Sequence, residues 1–546
     1  MSKDIKKHKT NRMGASGGTP FNPTGFYLTF TQLHPTTMNL EIMDTTLRDG
    51  EQTSGVSYNK TEKLNIARVL LEEVKADRLE IASARVSQGE MEGAKAITRW
   101  ARQANRLEQV EILGFIDGTA SLEWIRQAGG QVINLLCKGS EAHVRGQLRQ
   151  SPQEHIAKIR GLVAEARSMG ISVNVYLEDW SNGMRHSPDY VDYFIRSLKE
   201  EPILRFMLPD TLGILNPEEV GRYIHRLCEA YPDLHFDFHP HNDYGLAEAN
   251  VLAAATAGAS GIHTTVNGLG ERAGNVPLAS VVGIINDHQN KVHLGIEESS
   301  LAKISKLVES FSGIRIPSNM PVVGENVFTQ TSGIHADGDQ KNNLYYNDLM
   351  PERFGRKRQY ALGKMSGKAS IQKNLEELGI ELDGETMKKL TQKVIALGDR
   401  KDFITKEDLP YIIADLLQSS QIDDKIKVKN YSLSVAEGLR SVATLRLGIN
   451  GDEYEATASG DGQYDAFMKA LYKIYDDLGK QYPALQDYLV TIPPGGRTDA
   501  LVETVITWCN EGHSFRTRGL DPDQTVAAIK ATVKMLNLQE NGGIPG

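Results

Sequence analysis

Short apolar or β-branched runs alternate with longer amphipathic stretches from Met38 to about residue 290, and this alternation limits the possible folds more than any other feature of the chain. Strand-like runs separated by helix-like segments indicate repeated βα units around a parallel sheet. The runs are LEIMD (40–44), RLEIAS (78–83), VEILGF (110–115), VINLLC (132–137), VNVYLE (173–178), RFMLPD (205–210), HFDFHPH (235–241) and GIHTTVN (261–267). Between them lie TEKLNIARVLLEEV, PEEVGRYIHRLCEAY and GLAEANVLAAATAG, the last closed by a glycine suited to a helix C-cap. Eight repeats over roughly 250 residues is the size of a TIM (β/α)8 barrel. A doubly wound open sheet is the competitor, but no G-x-G-x-x-G fingerprint follows the first run, so the expected class is α/β with a barrel.

A chain of 546 residues is too long for one ordinary domain. The barrel is expected over 38–315. Helical sequence follows over 316–426, interrupted by an irregular Gly/Asn/Asp-rich stretch from Gly324 to Asn347. Residues 427–546 read as an independent α+β domain: an alternating segment (VKNYSLSVAEGLRSVATLRLGI), a helix (YDAFMKALYKIYDDLGKQY), strands (DYLVTI, ALVETVITWC) and a final helix. Residues 1–37 show no period and read as a flexible tail, with Met38 as an alternative native start.

A formal charge of −9 does not favour a nucleic-acid partner. Cys137, Cys228 and Cys509 are widely separated, which fits neither a disulfide framework nor a cysteine zinc site and points to a reducing, cytoplasmic setting. No apolar run approaches the ~20 residues that cross a bilayer, so no membrane partner is expected.

In a barrel the chemistry gathers at the carboxyl ends of the strands. Those ends carry Asp44-Thr-Thr-Leu-Arg48-Asp49-Gly-Glu51, Tyr176-Leu-Glu178-Asp179, His239-Pro-His241-Asn242-Asp243 and Asn267-Gly-Leu-Gly-Glu271-Arg272-Ala-Gly-Asn275. Residues two apart on a strand share a face, so His239 and His241 can grip one ion. With a carboxylate and an amide or water oxygen, such a set suits Zn or Mn, with Mg as a third candidate. Two satisfied polar histidines beside a loop are the bland alternative. Arg48 next to Asp49 reads equally well as a structural salt bridge, and Glu178 as a solvated carboxylate. Their position at the barrel mouth adds a catalytic reading, with Arg48 stabilising an enolate or alkoxide.

DTTLRDGEQTSG, HPHNDYGLAEAN, NGLGERAGN and FTQTSGIHADG resemble the motifs of the acyltransferase branch of the DRE-TIM metallolyases, the isopropylmalate, homocitrate and citramalate synthases. The resemblance runs from Met38 to the C-terminus. It implies a metal site of Asp49, His239, His241 and Asn275, catalytic roles for Arg48 and Glu178, and a grip on the substrate carboxylate by Thr211. It also implies that His335 deprotonates the methyl of acetyl-CoA, supported by Asp337 and Tyr345, from a segment that reaches over the barrel of a partner subunit. A homodimer follows from that arrangement. The C-terminal domain resembles the family's amino-acid-responsive regulatory domain, through GDGQYDAF and IPPGGRTDALVET.

The side chains around the alkyl group of the 2-oxo acid select the substrate. By the resemblance these are Leu113, Leu136 and Tyr176, which leave room for a methyl and so favour pyruvate over 2-oxoisovalerate. Both leucines would also suit an ordinary barrel interior. VYLEDWSNG, LPERFGRKRQYALGK and GLDPDQTVAA resemble a citramalate-forming branch, which implies isoleucine as effector at Tyr464, Asp465, Val502, Pro522 and Gln524. Isopropylmalate synthesis is the nearest rival. A CoA-independent lyase or aldolase and a non-catalytic metabolite sensor are more distant ones.

Overall fold

The computed structural model describes residues 38–289, 292–341, 344–399, 404, 406–417, 425–491, 502–510 and 512–541. The expected tail, 1–37, lies outside the described residues, as does most of the IPPGGRTDALVET motif.

Strands with hydrocarbon on one face and charge on the other build the first half of the chain. Eight parallel strands close into a barrel in chain order. They are β1 (Glu41–Asp44), β2 (Arg78–Ser83), β3 (Val110–Phe115), β4 (Val132–Lys138), β5 (Ser172–Glu178), β6 (Ile203–Asp210), β7 (Phe236–Pro240) and β8 (Gly261–Thr264). Closure sets Glu41 beside Gly261 and Asp44 beside Thr264. Ile81, Ile112, Leu135, Val175, Phe238 and Ile262 are fully buried in the main core. Each such side chain contributes about 1.5–3 kcal/mol of burial.

The alternate positions at the strand starts are ionic. Arg78 reaches Glu41 (2.8 Å), Glu111 (3.2 Å) and Asp237 (2.6 Å), and it is almost completely buried with the latter two. Buried charges persist only when paired and bonded in this way. Gly261 makes room for them, since a Cβ there would stand 2.2 Å from Asp237 Oδ1.

The surrounding helices start where their caps predict. Asn59 with Glu62, Ser151 with Glu154 and Asn216 with Glu219 form capping boxes. The run TEKLNIARVLLEEV begins as α-helix Lys60–Arg68 and continues as a π-helix over Val69–Val74. Gly258 ends helix Ala247–Ala257 at φ 103°.

Beyond the barrel, helices Lys368–Glu377, Gly384–Asp399 and Leu409–Leu417 share a small core around Ile371, Leu375, Leu390 and Val394. The stretch from Gly324 to Asn347, expected to be irregular, contains helix Gly333–Gln340. Its two glycines and two aspartates argue against a helix on propensity, but they allow close packing: a Cβ on Gly333 would meet Gly367 Cα at 2.5 Å.

The last part of the chain holds two three-stranded antiparallel sheets. The first is β9 (Ile426–Ser434), β10 (Ser441–Ile449) and β11 (Asp452–Gly460), and the second is β12 (Ala484–Thr491), β13 (Val502–Asn510) and β14 (His513–Asp521). Helix Gln463–Asp477 packs on the first and helix Gln524–Glu540 on the second. Neither β11 nor β14 was expected. The better-buried positions of β11 include Ala456, Ala458 and Gly460, too small to give a clear period of two. Gly519 in β14 would put a Cβ 1.9 Å from Ala527 O, so helix contact there excludes a larger side chain. Among the described residues, no helix is long and apolar enough to cross a membrane.

Candidate active site

After β1 the chain turns back over the barrel mouth. Arg48 is fixed there from three sides: its Nε lies 2.6 Å from Glu80 Oε2 on β2, its Nη1 3.2 Å from Asp49 Oδ2, and its Nη2 donates to Tyr176 Oη at 3.4 Å. Glu80 also accepts from Thr45 Oγ1 and Asn134 Nδ2 and is completely buried. It was not singled out in the sequence, although a lone carboxylate inside RLEIAS marks a strand whose inner face is polar.

Asp49 Oδ2 stands 3.1 Å from His239 Nε2 and 3.8 Å from His241 Nε2, and the two imidazole nitrogens are 3.3 Å apart. One ligand atom from each of Asp49, His239 and His241 falls within 4.8 Å of the others. Asn275 is brought alongside His241 by an antiparallel backbone bridge. The loop that delivers it depends on glycine: at Gly274 (φ 81°) a Cβ would lie 2.0 Å from Gly268 O, and at Gly270 (φ 153°) 2.3 Å from Asn275 Nδ2.

Asp49 Oδ1 and Asn275 Oδ1 are buried with no hydrogen-bond partner. Orphaned buried oxygens are rare in folded proteins. One is on Asp49 beside both imidazoles and the other on Asn275, whose backbone bridges to His241, and together they fit a divalent metal ion bound by mixed N/O donors. The charges agree. Burial opposes ionisation of Asp49, yet Arg48 and His239 hold its carboxyl well below the usual range. Burial, with His239 beside it, pushes His241 down to about 4, and burial also lowers His239 despite Asp49. Neutral imidazoles are the form that binds metal.

Tyr176 and Leu113 share a small interior cluster with Met43 and Met207, against which Leu136 and Phe115 pack. The Tyr176 ring is 5.9 Å from that of His239. The two methionines were missed, although each follows in a strand of alternating faces. Glu178 does not meet Arg48 through any bond described; it pairs with Lys138. Thr211 Oγ1 accepts the Asp179 N–H at 3.0 Å.

His335, Asp337 and Tyr345 form a separate group. The His335 ring lies 4.2 Å from Tyr345 and its Nδ1 3.2 Å from Gln330 Oε1, while Asp337 pairs with Lys341. No bond described for His335 reaches the barrel mouth. In the C-terminal domain, Tyr464, Asp465 and Gln524 line a cleft of about 670 Å³ together with Leu485 and Tyr488. Val502 is buried on β13 and Pro522 is exposed beside the cleft, and neither lines it.

Family models match consecutive parts of the chain: HMGL-like over 39–308, a homocitrate synthase post-HMGL domain over 322–402, and a LeuA allosteric (dimerisation) domain over 403–539. A relative from Methanopyrus kandleri, whose (R)-citramalate synthase name is provisional, is 35% identical over 91% of this chain and 96% of its own length. The chain belongs to the isopropylmalate and citramalate synthase family. Another member from Methanopyrus kandleri, provisionally named 2-isopropylmalate synthase, is 34% identical over 91% of this chain and 98% of its own. The (R)-citramalate synthase of Methanocaldococcus jannaschii is 31% identical over 92% of this chain and all of its own. Overall identity within the family therefore does not separate the two substrates, and the pocket has to.

Proposed function

We infer that this family member is an acyltransferase that condenses acetyl-CoA with pyruvate to give (R)-citramalate and CoA. The reading is carried by the cluster of Leu113, Tyr176, Met43 and Met207 with Leu136, a set of large side chains beside Arg48 and His239 that suits a methyl group. Overpacking is strongly resisted in such a site.

Asp49, His239, His241 and Asn275 would hold a divalent ion, Zn or Mn on the donor set, which would supply Lewis acidity for the 2-oxo acid. The Thr211 oxygen already takes the Asp179 N–H, so its own proton is free for the substrate carboxylate. Arg48, steadied by Glu80, offers its remaining N–H groups to the ketone oxygen as that becomes an alkoxide. His335, reaching over from a second copy of the chain, takes a proton from the methyl of acetyl-CoA. The resulting carbon nucleophile forms the new C–C bond to the ketone carbon, whose oxygen gains the electron pair and then a proton. Water cleaves the thioester, releasing CoA and making the sequence effectively irreversible. Glu178, held by Lys138, serves as a further proton carrier at the mouth.

The cleft at Tyr464, Asp465 and Gln524 suits a small amino acid, and isoleucine is the effector expected of a citramalate-forming enzyme. Inhibition by isoleucine rather than leucine would support this, and inhibition by leucine alone would end it.

The second reading, 2-isopropylmalate synthase, is favoured by the relative of that name and by the adaptability of Met43 and Met207. Thiol release from acetyl-CoA with pyruvate, 2-oxobutyrate, 2-oxoisovalerate and 2-oxoglutarate decides between them. Preference for pyruvate is the expected result, and preference for 2-oxoisovalerate would replace the first reading with the second.

A further inference from the structure

The Tyr176 hydroxyl is the top of a buried chain that crosses the barrel interior. It lies 3.0 Å from His263 Nδ1 on β8. His263 Nε2 lies 3.0 Å from Asp237 Oδ2 on β7, and that oxygen lies 2.6 Å from Arg78 Nη2 on β2. All four side chains are at most a few per cent exposed.

The chain has one consistent direction. Asp237 is a carboxylate ion-paired with the Arg78 guanidinium through Oδ2, and its Oδ1 lies 2.7 Å from His235 Nε2. An ionised carboxylate only accepts, so His263 Nε2 carries the hydrogen and Nδ1 is left as a bare acceptor. The Tyr176 hydroxyl must then donate to His263. Its remaining lone pairs accept from Arg48 Nη2, 3.4 Å away.

We propose that His263, backed by Asp237 and Arg78, is a positioning residue that locks Tyr176 in place and so sets the size of the 2-oxo acid the enzyme accepts. The hydroxyl proton is committed to His263 and is withheld from the substrate. Tyr176 therefore meets the acid as a rigid ring wall, and Arg48 is steadied by the same hydroxyl. The proposal rests on the reading of Tyr176 as a pocket residue.

His263→Leu removes both ends of the relay, His263→Gln keeps one donor and one acceptor, and Tyr176→Phe removes only the hydroxyl. The measurement is the ratio of kcat/KM for pyruvate to that for 2-oxobutyrate. In His263→Leu and in Tyr176→Phe the ratio should fall by a similar factor, roughly tenfold, the range typical of one methylene in a pocket. The double variant should fall no further than either single one, and His263→Gln should keep most of the ratio. Equal loss of kcat/KM for both acids in His263→Leu, an unchanged ratio in Tyr176→Phe, or additive effects would each overturn the proposal. If His263→Leu does not fold, Tyr176→Phe and His263→Gln still give opposite expected results. A wild-type enzyme that prefers 2-oxoisovalerate would overturn the substrate reading alone, and the coupling of the two residues would then be read between that acid and a longer one.

Discussion

Glu80 Oε2 accepts from Arg48 Nε at 2.6 Å, which anchors the guanidinium at the barrel mouth to a fully buried strand residue and not only to its own loop. A charge held from a rigid element is oriented before the substrate arrives, and such preorganisation is where electrostatic catalysis gains most. Glu80→Gln keeps the shape and removes the charge. Steady-state kinetics should show kcat reduced about 10²-fold, the scale of losing one well-placed stabilising group. Loss confined to KM would instead mean that Arg48 acts only in ground-state binding.

The partnerless Asp49 Oδ1 and Asn275 Oδ1 lead to a prediction about metal. Adding Mn2+ at about 100 times its Kd should stabilise the apo-protein by about 2.7 kcal/mol through mass action on the folded state. Calorimetry with and without chelator reads this directly. His239→Ala should abolish the shift, and an equal shift in that variant would place the ion elsewhere.

Much of this was legible in the sequence, and the exceptions have physical causes. The barrel strands declared themselves by apolar outer faces and the His239–His241 pair by its spacing at a strand end, whereas Asp49 and Asn275 were assigned to the metal only through the family resemblance. Glu80, Asp237 and His263 stayed hidden because a buried ion network is a property of pairing across strands distant in sequence: Asp237 meets Arg78 from 159 positions away. β11 was missed because its helix-facing positions are small, and Val502 and Pro522 do not line the C-terminal cleft.

His155 gives a pH dependence with a definite sign. Its Nε2 accepts the Lys138 backbone N–H, and burial, with Lys138 and Lys158 adding repulsion, pushes it from 6.5 down to about 4. The unfolded chain binds this proton near pH 6.5 and the folded one only near 4, so folding loses stability as pH falls through that window. At 1.36 kcal/mol per unit the loss is about 3 kcal/mol. Thermal unfolding from pH 7.5 to 4.5 should show a shallower decline in His155→Gln than in the wild type. Parallel declines would assign the acid sensitivity to other groups.

Lys63 provides the last test, because it separates charge pairing from packing in the turn that carries Arg48. It sits in helix Lys60–Arg68, where a lysine would ordinarily face solvent, yet it is only 1% exposed. Its Nζ pairs with Glu51 (2.6 Å) and Glu90 and donates to Leu47 O at 3.2 Å, immediately before Arg48. Lys63→Met preserves most of the volume but strands two carboxylates, a change that costs about 3–5 kcal/mol when a buried pair is broken. Burial and Glu51 already raise Glu90 even with Lys63 beside it. Without the lysine the Glu90 carboxyl should bind its proton more tightly in the folded state than in the unfolded one, so the variant should recover stability as pH falls from 7 toward 5. A deficit that shrinks over that range assigns the role of Lys63 to its charge. A deficit that stays constant assigns it to the alkyl stem, whose Cδ lies 3.0 Å from where a Cβ on Gly93 would stand.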